Sequence, residues 1–282
     1  MFMSKTLDST WTDRFAGVDR LYGKGALAFF AQSRVVIIGI GGVGSWAAEA
    51  LARTGIGHIT LIDADDVCVS NTNRQLPAHE PNYGRSKAHL MADRLRAINP
   101  AIDVSVVESF LTPSNMAELL DNNYDVVLDA CDSFRVKVEM TAWCRRRKLP
   151  LVIVGAAGGR TDPTLIRTRD LSKTEHDAML ALIRRKLREE FNFPKSKDRY
   201  FGVYAVYSLQ NVQYPQADGT VCGIRPNVSG DAALNIDCGG GLGSVTHVTG
   251  AFAFAACAKV IELLLKIRAK REAQTAKLHC PW

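Results

Sequence analysis

Along the first half of this chain, apolar runs of strand length alternate with segments of helical period. Val35-Val36-Ile37-Ile38 is an unbroken, β-branched stretch, the pattern of a strand buried on both faces. Residues 45–52 then carry helical character, and a second apolar run, 58–62, follows. The alternation continues with a helix at 87–98 that stops at Asn99-Pro100, a strand at 103–107 and a short helix at 115–121. A strand at 124–128, a helix at 134–147 and a strand at 151–154 complete it. Strand and helix in turn predict an α/β fold, a Rossmann-like, doubly wound and mostly parallel sheet.

The second half reads differently. Residues 171–190 form a basic amphipathic helix, 200–209 alternate as a strand, and 211–231 form a long loop rich in Pro and Gly. These predict a smaller sheet and helical substrate region appended to the first. The expected organisation is an N-terminal arm at 1–30, a nucleotide-binding core at 31–165, and a substrate-binding and dimerisation half of the same domain at 166–282. Residues 248–258 are apolar enough to suggest a membrane span, but His247, Lys259 and Glu262 interrupt the run and small residues dominate it. A buried helix of a soluble protein is the better reading.

Composition narrows the class. A content of 47% hydrophobic and 23% charged residues is that of an ordinary globular protein. The first residues lack the apolar core of a signal peptide, and seven scattered cysteines form no Cys-x-x-Cys pair. Reduced thiols in a cytoplasmic protein without zinc are expected. The net charge of +6 is concentrated at 145–148, between 160 and 199, and in the tail, which suits a polyanion such as RNA.

The chemistry begins at Gly39-x-Gly41-Gly42-x-Gly44, between the first strand and helix, with Asp63 ending the second strand. Glycines allow a tight turn and close approach to a phosphate, the helix N-terminus offers N–H groups, and a carboxylate at this distance grips a ribose. The default reading is an NAD-dependent oxidoreductase. The residues downstream argue against it. Asp63-Ala64-Asp65, Ser70-Asn71-Thr72-Asn73-Arg74-Gln75 and Gly84-Arg85-Ser86-Lys87 supply cations for a triphosphate, and Asp132 supplies a carboxylate for Mg²⁺. ATP fits this provision better than a dinucleotide does.

Those motifs, with Ile98-Asn99-Pro100, resemble the adenylating core of the ubiquitin-activating-type enzymes over about residues 14–165. The resemblance implies that Gly39, Gly41, Gly42 and Gly44 cradle the phosphates and that Asp63 holds the ribose, with Asp65 and Gln75 lining the nucleotide. Asn71, Arg74 and Lys87 would clamp the polyphosphate, and Asp132 would bind Mg²⁺. An N-terminal arginine, Arg14 or Arg20, would reach across a homodimer. One branch activates the C-terminal Gly-Gly of sulfur-carrier proteins and usually holds zinc in two Cys-x-x-Cys pairs, absent here.

Residues 14–23 and 238–250 instead resemble the branch that dehydrates threonylcarbamoyladenosine beside the anticodon of tRNA. That implies an ATP-dependent cyclisation through an adenylated threonyl carboxylate, a tRNA substrate, and a sulfur-relay protein among the candidate partners. Activation of a sulfur carrier is the alternative. Cys238 and Cys131 are the thiols near these motifs, each with a plain structural reading beside the reactive one.

Overall fold

The computed structural model describes residues 9–196, 198–224 and 242–278. A seven-stranded sheet organises them, in the spatial order β3 (Asp103–Val107), β2 (His58–Ile62), β1 (Arg34–Ile38), β4 (Val126–Asp129), β5 (Leu151–Val154), β7 (Tyr204–Ser208) and β6 (Ile166–Asp170). Neighbours from β3 to β7 are parallel, and β6 alone runs antiparallel, against β7. The chain first builds outward from β1 to β3, then returns to place β4 on the other side of β1. That reversal opens a crevice at the carboxyl ends of β1 and β4.

Register decides what meets there. Ile38 pairs with Ile62 on one side and with Asp129 on the other. The glycine turn after β1, Asp63 after β2, and Ala130-Cys131-Asp132 after β4 therefore leave the sheet at one level.

The period-2 side-chain alternation of β1 divides the core in two. Val35 and Ile37 pack with α3 (Gly44–Arg53), α4 (Lys87–Ile98) and α8 (Thr246–Leu278). Val36 and Ile38 pack with α5 (Met116–Leu120), α6 (Phe134–Arg147) and α7 (Ala178–Glu190). Both faces are covered, which is why the strands are apolar throughout rather than alternating.

Several expectations change in detail. The stretch read as an arm contains α1 (Ser9–Tyr22) and α2 (Ala26–Phe30), anchored by a cluster of Trp11, Phe15 and Leu27. The helix expected from 171 starts as one 3-10 turn, Leu171–Lys173, and α7 begins only after Asp177, whose carboxylate accepts the Leu180 N–H. Strand β6 has no counterpart in the sequence reading, and the strand expected over 200–209 shortens to β7. Instead of standing apart, β6 and β7 complete the main sheet. The smaller sheet is a hairpin of β8 (Tyr214–Pro215) and β9 (Val221–Cys222) within the expected loop.

The apolar run at 248–258 belongs to α8. Among the described residues this is the one helix long and apolar enough to cross a membrane. Val248, Phe252, Ala256, Val260 and Leu264, spaced four apart along one stripe, are however buried in the core shared with α3. Core packing accounts for their apolarity.

Candidate functional site

A cleft of about 940 Å³ lies at the carboxyl ends of β1, β2, β4 and β5. Its floor is the glycine turn, and the four glycines serve two different ends. At Gly39, φ is +83°, and a Cβ would sit 2.8 Å from the Cys131 backbone; at Gly44 one would sit 1.8 Å from the Gly39 carbonyl oxygen. The protein's own backbone requires those two. A Cβ on Gly41 would meet only the Gln75 amide at 3.8 Å, while one on Gly42 would touch Arg74 and Thr249 at 3.3 Å. Gly41 thus leaves room for something that enters the cleft. Among the described residues, the N–H groups of Gly41, Gly42 and Val43 donate to no protein acceptor, just before the N-terminus of α3. That is an anion cradle.

Asp63 ties the cradle to its neighbours. One carboxylate oxygen accepts the Ile40 N–H at 2.5 Å and the other accepts the Asp65 N–H at 2.8 Å. Burial pushes this carboxyl above the usual aspartate range, against those two donors and the charge of Lys87. Two carboxylate oxygens retain lone pairs for further donors such as ribose hydroxyls.

Lys87 opens α4, capped by Ser86, and its ammonium donates to Asp65 at 2.8 Å. A buried cation at a helix N-terminus works against the helix dipole. Asp65 compensates for it, and an anion in the cleft would do so further.

The short 3-10 turn Val69–Asn71 presents the rest of this wall. Buried Asn71 accepts the Cys68 N–H at 3.0 Å. The Arg74 guanidinium donates to the Ser70 carbonyl and the Asn73 side chain, both at 2.9 Å, and the backbone carbonyl of Arg74 accepts the Trp46 indole N–H. Gln75 lines the cleft and is buried, with its amide nitrogen toward Gly41 and its side-chain oxygen without a partner among the described residues.

After β4, Asp132 is exposed at the cleft margin and its carboxylate makes no hydrogen bond among the described contacts. Beneath it, Asp129 and Lys137 form a fully buried pair at 2.9 Å. Burial opposes the charge on Lys137, but Asp129 overcomes it and holds the ammonium above its ordinary pKa. Burial, and then Asp129, push the Cys131 thiol well up, so at neutral pH it stays protonated and makes a poor nucleophile. Cys238 lies outside the described residues.

The opposite wall combines a segment that carries no motif with part of the 238–250 stretch. It comprises residues 155–158 after β5 and 242–244 before α8. Buried Asp177 holds it in place by accepting the Ala156 N–H at 2.9 Å, while Arg160 donates to the carbonyls of Ala156, Gly158 and His176. Asn73 donates to the Ser244 carbonyl at 2.8 Å and the Thr246 hydroxyl to the Asn73 carbonyl, which joins the two walls. The only sequence signal for Asp177 is that of a helix cap.

Arg14 and Arg20 do not line the cleft of their own chain. Arg14 donates to the Ile98 carbonyl at the far end of α4, some 17 Å from Lys87 by helical rise. No group of three or more His, Cys, Asp or Glu among the described residues could hold a metal unaided. One free carboxylate beside a phosphate cradle nevertheless suits Mg²⁺ carried by phosphates, since that ion takes one or two protein carboxylates and completes its shell with phosphate and water.

Fold and cleft together define an α/β nucleotide-binding protein whose pocket is furnished for a polyphosphate. The chain belongs to the ThiF family, whose pattern matches residues 16–279. It is 47% identical to the tRNA threonylcarbamoyladenosine dehydratase of Escherichia coli (strain K12), a match covering 95% of this chain and 100% of the relative. The solved structure of the E. coli enzyme in complex with ATP matches with a TM-score of 0.83 at 43% identity, over 94% of this chain and 99% of that one. The E. coli molybdopterin-synthase adenylyltransferase is 38% identical, but over 43% of this chain and 48% of that one.

Proposed function

We propose that this chain is an ATP-dependent tRNA threonylcarbamoyladenosine dehydratase. One observation carries the reading: similarity to the dehydratase runs through both halves, so it takes in both walls of the cleft, whereas similarity to the sulfur-carrier enzyme covers less than half the chain.

The threonyl carboxylate attacks the α-phosphorus of ATP, giving an acyl-adenylate and pyrophosphate. The carbamoyl group then attacks the activated carbonyl within the same nucleoside, AMP leaves, and the net change is loss of water. The residues contribute position and charge. Gly41 to Val43 receive the phosphates, Asp63 orients the ribose, and Asn71, Arg74 and Lys87 stabilise charge as pyrophosphate departs. Lys87 exchanges part of its contact with Asp65 for phosphate. Asp65 and Gln75 complete the nucleotide side. Asp132 would hold Mg²⁺ against the phosphates, where the ion supplies charge neutralisation. The wall at 155–158 holds the acceptor nucleoside near the α-phosphorus, so proximity accelerates both steps.

The active form in this reading is a cytoplasmic homodimer in which Arg14 or Arg20 reaches the partner's cleft. Residues 31–165 supply the nucleotide site, residues 166–282 supply much of the substrate wall, and a sulfur-relay protein is a candidate partner. The test is incubation with ATP, Mg²⁺ and threonylcarbamoylated tRNA, followed by nucleoside mass analysis. The expected product is lighter by one water. An unchanged nucleoside, with pyrophosphate released instead upon addition of a Gly-Gly-tailed carrier protein, would favour the sulfur-carrier activity.

A further inference from the structure

A second, smaller cavity of about 170 Å³ opens at the other end of the sheet, lined by Arg145, Lys148, Pro150, Gly202, Tyr204 and Leu263 among others. Strand β5 connects the two places. Its first residue, Leu151, lines this cavity and its last, Val154, lines the cleft, a separation of roughly 10 Å at the rise of a strand. Nothing in the adenylation chemistry uses this end.

Its charge is one-sided. Arg145, Arg146 and Lys148 are exposed, and none has an ion pair or side-chain hydrogen bond among the described contacts. The neighbouring acids are already committed. Asp170 accepts the backbone N–H groups of Phe201, Gly202 and Ser172, and Glu262 is held between Lys259 and Lys266. Those two lysines also cover the ring of Tyr204, at 4.4 and 5.8 Å, so that face is closed to a stacking base.

The Arg145 guanidinium is positioned by its surroundings. Gly202, at φ +72°, would bring a Cβ to 3.4 Å from Arg145 Cζ, so the planar group lies along bare backbone. Lys148 occupies the left-handed C-cap of α6, φ +57°, where glycine is the favoured residue. Favourable interaction with the α6 dipole explains one or two cations there. It does not explain a concave site without a free acid.

The geometry points to a phosphodiester-binding subsite formed by Arg145 and Lys148, which holds the backbone of the tRNA away from the nucleotide being modified. The assignment of tRNA rests on the proposed function. The contrast with α7 supports the location. That helix also carries a run of cations, yet Arg185 and Lys186 pair with Glu189 and Glu190, and Arg184 donates to Thr174.

The test compares the wild type with Arg145→Gln/Lys148→Gly in binding unmodified tRNA across a salt series, and in ATP kinetics. Glycine at 148 suits the backbone, so loss of fold is not expected there. The double variant should raise the Kd for tRNA on the order of tenfold and lower the slope of log Kd against log salt by about two. Its KM for ATP should not move. Arg145→Lys, which retains the charge, should keep most of the affinity. An unchanged tRNA Kd, an equal loss in Arg145→Lys, or a parallel rise in KM for ATP would each overturn the subsite. Binding is read without turnover, so a wild type that binds tRNA with this salt response but fails to dehydrate it would defeat the proposed activity and leave the subsite standing.

Discussion

Two lysine–aspartate pairs of nearly equal length flank the glycine turn, and their surroundings give them different work. Lys137–Asp129, at 2.9 Å, has both side chains fully buried beneath the β4 end. Lys87–Asp65, at 2.8 Å, pairs a buried lysine with an aspartate that is half exposed at the β2 end, on the cleft wall. A sealed pair has no partner to exchange with, and removing one member leaves an uncompensated charge in the core. A pair open on one side can trade a carboxylate for a phosphate. Separation alone does not distinguish the two pairs; access to the cleft does.

The largest effect should follow from breaking the sealed pair. Lys137→Met should cost about 3–5 kcal/mol in chemical denaturation, because Asp129 already has one oxygen without a partner. A loss below ~1 kcal/mol would remove the distinction. Lys87→Met should do the reverse: turnover falls by about 10²–10³, the scale of losing one preorganised charge-stabilising group, while stability changes little. Unchanged kcat with a collapsed denaturation midpoint would show that Lys87 is structural.

Two acids sharpen the comparison through pH. Burial works against the charge of Glu49, but Arg94 and Arg53 prevail and hold its carboxyl below the usual range. Its stabilisation is therefore present above the ordinary glutamate pKa, about 4.3, and is lost as pH falls through the lowered value. Asp63 has the opposite sign: its raised pKa means stability fully present below the ordinary aspartate value and lost as pH rises through the raised one. In denaturation at several pH values, Glu49→Gln should lie closest to wild type at the acid end, and Asp63→Asn should gain relative to wild type as pH rises through that window. The same sign for both would contradict the burial argument.

The smallest effect is expected on α7. Arg185→Gln and Lys186→Gln remove exposed pairs within one helix and should alter stability by no more than about 0.5 kcal/mol, with little change in tRNA affinity. A tRNA Kd shift as large as that of the Arg145/Lys148 variant would return the nucleic-acid surface to this helix.

Much of the nucleotide side was legible because its determinants are local. A β-branched run, a glycine turn and a helix start occupy consecutive residues, and Asp63 follows the next strand directly. Strand β6 was not legible because Arg167 and Arg169 alternate with half-buried neighbours on a short edge strand, a weak signal beside the buried parallel runs. The wall at 155–158 was missed because Asp177 and Arg160 hold it through backbone groups brought near by the fold, and no spacing in the chain announces such contacts.

By itself, the sequence determined the alternation of strands and helices, the glycine cradle and the residue types needed at a polyphosphate. Those follow from short-range sterics and side-chain chemistry. Tertiary structure decided which charges are available. Register brings the turns that follow Ile38, Ile62 and Asp129 to one level, a sealed core neutralises Lys137 with Asp129, and the glutamates of α7 consume cations that looked free. Availability depends on solvent access and on distant partners, and neither is written in the local pattern.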